Sequence, residues 1–113
     1  MGLKNLLSET IAECESIGKR TNDIDRVQWV DGHLHAVKCT WKTFADAVRH
    51  LEYDSGYGAQ EINESLAVVF NDGTWLERAE YDGAEWWEYK MCPVDTDVIC
   101  TSKNKVKEAM IHY

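Results

Sequence analysis

Apolar positions recur along this chain with two periods. Between residues 3 and 18, Leu3, Leu6, Leu7, Thr10, Ile11, Cys14 and Ile17 share one face at helical spacing, and Gly18 supplies a stop. The period then drops to two. Arg26 to Val37 reads as a hairpin about Asp31-Gly32, a pair suited to a two-residue turn with positive φ at both positions. That turn pairs Val30 with His33, Trp29 with Leu34, Gln28 with His35 and Val27 with Ala36. It puts Val27, Trp29, Leu34 and Ala36 on a core face. Helical spacing returns at Trp41, Phe44, Val48 and Leu51, behind Thr40 as a cap, and predicts a second helix over about 41–52.

The stretch Leu66–Met91 carries three of the five tryptophans and reads as three strands joined at Asp72-Gly73 and Asp82-Gly83. Two-residue turns pair Phe70 with Trp75, Val69 with Leu76 and Val68 with Glu77. In the second hairpin they pair Tyr81 with Ala84, Glu80 with Glu85, Ala79 with Trp86, Arg78 with Trp87 and Glu77 with Glu88. One face of this meander then holds Leu66, Val68, Phe70, Trp75, Ala79, Tyr81, Trp86 and Glu77, and is expected to seat the helices. The other holds Val69, Leu76, Arg78, Trp87 and Tyr89, with Trp87 beneath Arg78 in a cation–π pair. Beyond Pro93 the pattern weakens. Val98–Cys100 reads as a short edge strand. Ser102 caps a last helix with Val106, Ala109, Met110 and Tyr113 at helical spacing.

These elements predict a single α+β domain over residues 1–113. Its antiparallel β-sheet is built of Asp-Gly hairpins, a three-stranded meander at 66–91 plus a hairpin at 26–37. An N-terminal helix, a middle helix and a short C-terminal helix pack on it.

Composition narrows the function. The net charge is −8, and residues 51–90 account for all of it, with ten acids against Arg78 and Lys90. Such a surface repels nucleic acid, whose binding depends on phosphate neutralisation, and attracts basic surfaces. No apolar run reaches the roughly 18 residues of a membrane span. Asn5, Ser8 and Glu9 interrupt any leader-like core near the N-terminus, so the cytoplasm is the expected compartment. Cys14, Cys39, Cys92 and Cys100 are widely and irregularly spaced, which predicts free thiols rather than a disulfide framework.

Candidate chemistry is thin. His33-x-His35 can begin a metal site on a strand, but no further ligand lies near in sequence, and no metal or cofactor is expected. Tyr53-Asp54-Ser55-Gly56-Tyr57-Gly58 is glycine-rich, yet it lacks a phosphate-loop pattern and a nearby lysine. Two opposed glutamate pairs, Glu77–Glu88 and Glu80–Glu85, cost stability in a sheet and invite a use. Carboxylate pairs can hydrolyse glycosides, but no cleft or nucleophile motif accompanies them. Catalysis is the minor reading.

The run 53–58, then Trp75-Leu76-Glu77-Arg78, Glu80-Tyr81-Asp82-Gly83 and Glu85-Trp86-Trp87-Glu88, resembles a pattern found in small proteins of tailed phages and prophages. The resemblance covers residues 53–90 and implies a phage accessory protein. Small acidic phage proteins include inhibitors of host defence, of the anti-CRISPR and anti-restriction types. The expectation is therefore an acidic inhibitor acting in the host cytoplasm. It would occupy a basic, nucleic-acid-binding surface of a host protein such as a CRISPR or restriction nuclease, without binding nucleic acid or membrane itself. Glu77, Glu80, Asp82, Glu85 and Glu88 would supply charge, and Tyr57, Trp86, Trp87 and Tyr89 would anchor the contact. An exposed aromatic sheet face also leaves room for a homodimer. The alternative is a nucleotide- or sugar-binding protein or small hydrolase, with a pocket near loop 53–60 and Trp86/Trp87.

Overall fold

The computed structural model describes residues 3–32, 35–56, 60–92 and 97–110. In chain order these form β1 (Leu3–Asn5), α1 (Leu6–Ser16), β2 (Ile24–Asp31), β3 (His35–Cys39), α2 (Trp41–Val48), β4 (Glu52–Asp54), β5 (Ala67–Phe70), β6 (Trp75–Tyr81), β7 (Ala84–Lys90) and α3 (Lys103–Ala109). A five-stranded antiparallel sheet runs β3-β2-β5-β6-β7, and β1 pairs with β4 in a small second sheet. The α+β class and the antiparallel hairpins are as the sequence predicts.

Helix α1 begins at Leu6 rather than residue 3. Asn5 caps it by accepting from the Ser8 N–H, and Leu3–Asn5 extends to pair with Glu52–Asp54. Its end is a glycine stop. Gly18 takes φ +76°, and the Gly18 and Lys19 N–H groups donate to the carbonyls of Glu15 and Cys14. Thr40 caps α2, which stops at Val48, short of the predicted end, because the chain must turn to bring Tyr53 of β4 into the core.

The three Asp-Gly turns differ, and the aspartate decides how. At Asp82-Gly83 both residues have positive φ (+52° and +89°), so the two-residue turn forms and the β6–β7 register is as predicted. At Asp72-Gly73 only the glycine is left-handed (φ +88°). Phe70 and Thr74 close a three-residue loop, and Val69 pairs with Trp75 and Val68 with Leu76. At Asp31-Gly32 again only the glycine is left-handed, and Asp31 pairs with His35 and Trp29 with Val37. Each slip is an odd number of residues, so each exchanges the faces. Burial explains the outcome. The observed registers place Val27, Trp29, Val37 and Cys39 beside Val68, Phe70, Leu76 and Trp87 on one side.

The expected seat of the helices is thereby corrected. Val68 and Phe70 do face them, but they share that side with Leu76, Arg78 and Trp87, while Trp75, Glu77 and Trp86 face away. Helices α1 and α2 cover this side through Leu6, Thr10, Cys14 and Phe44. Ala36 is exposed rather than in the core, and the expected places of His33, Leu34 and Tyr113 lie outside the described residues. Two expectations fail at the C-terminus. Residues 98–100 form no strand. Helix α3 forms behind its Ser102 cap, but every residue from Lys103 to Met110 is exposed, so it does not pack on the sheet.

Candidate functional site

The predicted contact residues divide between the two sides of the sheet. Glu85 and Trp87 point inward. The Glu85 side chain is fully buried and accepts hydrogen bonds from the Glu61 N–H (2.6 Å), the Ile62 N–H (3.3 Å) and Arg78 Nη2 (3.1 Å). Arg78, also fully buried, lies over the Trp87 ring at 4.7 Å, which is the cation–π pair expected from the strand register. Its Nη2 donates to the Tyr53 hydroxyl (2.9 Å), its Nη1 lies 3.6 Å from Glu9, and among the described residues Nε and Nη1 find no hydrogen-bond partner. Tyr53 in turn donates to Glu9 (2.5 Å). Burial, and then this bond, push the Tyr53 hydroxyl up to about 12. Trp87 donates from Nε1 to Thr10 Oγ1 at 3.0 Å. These residues join α1, β4, β6, β7 and the 61–62 segment through one buried polar network. Two predicted contact residues therefore act in folding. Tyr89 is half-buried, edge-on to Phe70 with its hydroxyl on Thr74.

Among the described residues, α1 and α2 pack on the Leu76–Trp87 side and no helix covers the other side of the β6–β7 hairpin. Glu77 and Glu88 stand directly opposite each other there. Trp75 and Trp86 occupy the neighbouring rows, one on each strand, because each strand carries the pattern Trp-x-Glu and the strands run antiparallel. The indole N–H of Trp75 donates to Glu77 (2.8 Å) and that of Trp86 to Glu88 (3.3 Å). Each carboxylate is thus fixed by its own strand. Lys90 reaches Glu88 at 3.3 Å; among the described residues no ion pair reaches Glu77. At the hairpin tip, Glu80 accepts from the Gly83 N–H, and Tyr81 and Asp82 are exposed. Tyr57 lies outside the described residues.

Sequence pattern singles out Trp86 and Glu88 for this surface but not Trp75, although the Trp-x-Glu spacing shared by both strands is a legible signal for it. The sheet also has a cavity of about 390 Å³ on its helix side, between α2, Trp29, Cys39, Ile62 and Leu66. It touches loop 60–63, but its lining includes neither Trp86 nor Trp87. Among the described residues no cluster of three His, Cys, Asp or Glu side chains is placed to hold a metal, and no helix is long and apolar enough to cross a membrane.

The arrangement defines an antiparallel sheet with helices on one side and an acidic, tryptophan-flanked hairpin on the other. Comparison with protein-family models, with curated proteins and with solved structures finds no match.

Proposed function

We propose that this chain is an acidic binding protein that applies the outer side of its β6–β7 hairpin to a basic surface of another protein. The observation that carries this reading is the Glu77–Glu88 pair, opposed on a helix-free face and flanked by Trp75 and Trp86. Opposed carboxylates repel, and a sheet retains them at a cost. A cationic side chain from a partner would relieve the pair, and the two indoles supply contact area with little ordering cost. Tyr81 and Asp82 extend the surface toward the tip. Charge and the resemblance to phage proteins support a host-defence nucleoprotein as partner, of the CRISPR or restriction type, with its nucleic-acid site occupied.

The test is capture from host lysate at low and high salt, with wild-type protein and with Glu77→Lys/Glu88→Lys. Basic nucleic-acid-binding proteins should be retained by the wild type at low salt, and lost both at high salt and with the variant. Equal retention in all arms refutes the electrostatic contact. The nucleotide- or sugar-binding reading rests on the 390 Å³ cavity, but its walls are apolar apart from Thr43, Glu61 and Asn63, which suits neither ligand.

A further inference from the structure

The two edges of the five-stranded sheet differ. At β7 the edge is guarded. The Glu85 N–H donates to the Ser55 carbonyl (2.8 Å), Gly56 bridges to Ala84, and Glu85 and Trp87 are 1% and 4% exposed. At β3 the edge is open. Val30 of β2 turns its N–H away from β3 and donates to Ser65 Oγ (2.8 Å). Hydrogen-bonded and non-hydrogen-bonded residues alternate along an antiparallel pair. Ala36 and Lys38, opposite Val30 and Gln28, therefore direct their N–H and C=O groups out of the sheet. Both residues are exposed, and among the described residues nothing pairs with these groups. Val37 and Cys39 alternate with them and face the helix side. There α2 and the sheet leave an apolar groove of about 390 Å³, lined by Trp29, Cys39, Ala47, Val48 and Ile62. Glu61 lines it as well, Glu64 stands next to it, and both carboxylates are exposed.

We propose that β3 is a docking edge for an extended, basic peptide segment of a partner protein, which adds to the sheet as a sixth strand and seats an apolar side chain in the α2 groove. Three features select this occupant. Unpaired N–H and C=O groups at alternate residues match the backbone of an extended chain. In an added strand the residues opposite Val37 and Cys39 face the helix side, so the groove receives every second side chain. The carboxylates of Glu61 and Glu64 favour Lys or Arg in the same segment, whereas Lys38 sends its own side chain to the outer side, away from the groove. A second copy fits less well, because it brings a net charge of −8 to an acidic groove. This contact lies at the opposite edge of the sheet from the β6–β7 hairpin and does not depend on it.

The probe is a fluorescein-labelled peptide, Lys-Ile-Thr-Ile-Thr-Ile-Lys, titrated by anisotropy into the full-length protein. Its isoleucines would face the groove and its threonines would pair with Ala36 and Lys38. Saturable binding is expected, with slower amide exchange at Ala36 and Lys38 in the complex. N-methylation of the two threonines removes the donors aimed at β3 and should weaken binding by about tenfold or more. Ala47→Arg, at an exposed position on the groove wall, should weaken it to a similar degree without altering the circular dichroism. Lys38→Pro, which deletes one outward N–H from an edge strand, should do the same. The Glu77→Lys/Glu88→Lys variant should bind as the wild type does, which separates this edge from the hairpin surface. Absence of saturable binding, indifference to N-methylation or to Ala47→Arg, or loss of binding in the hairpin variant overturns the proposal. So does a wild-type dimer in sedimentation that Lys38→Pro makes monomeric, since a second copy then holds the edge.

Discussion

Removing the Glu85 carboxylate should come close to unfolding the protein, although the sequence places this residue in a surface pair with Glu80. The Glu85→Ala change leaves the Arg78 guanidinium buried with Glu9, 3.6 Å from Nη1, as its one remaining counter-charge among the described residues. It also strips the acceptor from the Glu61 and Ile62 N–H groups, which hold the segment after the glycine-rich loop. Breaking a buried ion pair by deleting one partner costs about 3–5 kcal/mol, and each orphaned N–H adds to this with strong overlap. We take about 4 kcal/mol from a total stability of about 5–15 kcal/mol. The unfolding entropy of a chain of 113 residues is roughly 0.24 kcal/mol/K, so Tm should fall by about 17 °C. Glu80→Ala is the control. Glu80 faces Glu85 across the strands but is exposed, and the change should cost under about 1 kcal/mol, or about 4 °C. Thermal melts followed by circular dichroism measure both. If Glu85→Ala melts within about 4 °C of the wild type, the carboxylate does not anchor a buried network, and the core does not depend on the Arg78–Glu85 pair.

Three further outcomes follow from the same core. Tyr53 has a folded-state pKa of about 12, above its ordinary value of 10, so the folded state holds the phenolic proton more tightly than the unfolded state. Its contribution is complete below pH 10 and is lost as pH rises from 10 to about 12; the urea midpoint should decline across that window in the wild type relative to Tyr53→Phe. Thr10→Val removes the acceptor of the buried Trp87 N–H and should cost about 1–3 kcal/mol, read as a lower urea midpoint with an unchanged slope. Burial, then the charge of Glu13, push the Cys14 thiol up to about 11. A thiol reagent should therefore modify the exposed Cys92 and Cys100 at once, and Cys14 only at the rate of opening; prompt labelling of Cys14 in the folded protein would contradict its burial.

Local signals with a single physical solution were legible in the sequence. The Thr40 and Ser102 caps, the Gly18 stop and the Asp82-Gly83 turn each formed where the residues placed them. The registers of the other two hairpins were not legible, because Asp-Gly admits both two- and three-residue loops. The choice is made by side chains far away in sequence. Leu76 enters the core at 0% exposure beside Val68 and Phe70 only if Val69, not Phe70, pairs with Trp75. The network around Arg78 was half legible. Its stacking on Trp87 follows from strand register alone, whereas Glu9 and Tyr53 arrive from α1 and β4, which no local pattern joins to β6.

The two opposed glutamate pairs look equivalent in sequence and have opposite fates. Glu80–Glu85 lies on the helix side, and Glu85 resolves the repulsion by turning inward to Arg78 and two backbone donors, while Glu80 stays in solvent with the Gly83 N–H. Folding alone accounts for that pair. Glu77–Glu88 lies on the outer side, where Lys90 offsets one carboxylate and indole N–H groups hold both in place without neutralising them. Folding does not account for this second pair: a lysine or a threonine at either position would keep the strand and remove the repulsion. The surplus charge on the meander thus narrows from five acidic positions to one fixed pair between two tryptophans. Substitution at Glu77 and Glu88 should alter partner capture while leaving the melting temperature near that of the wild type. Substitution at Glu85 should instead lower the melting temperature and reach binding only through unfolding.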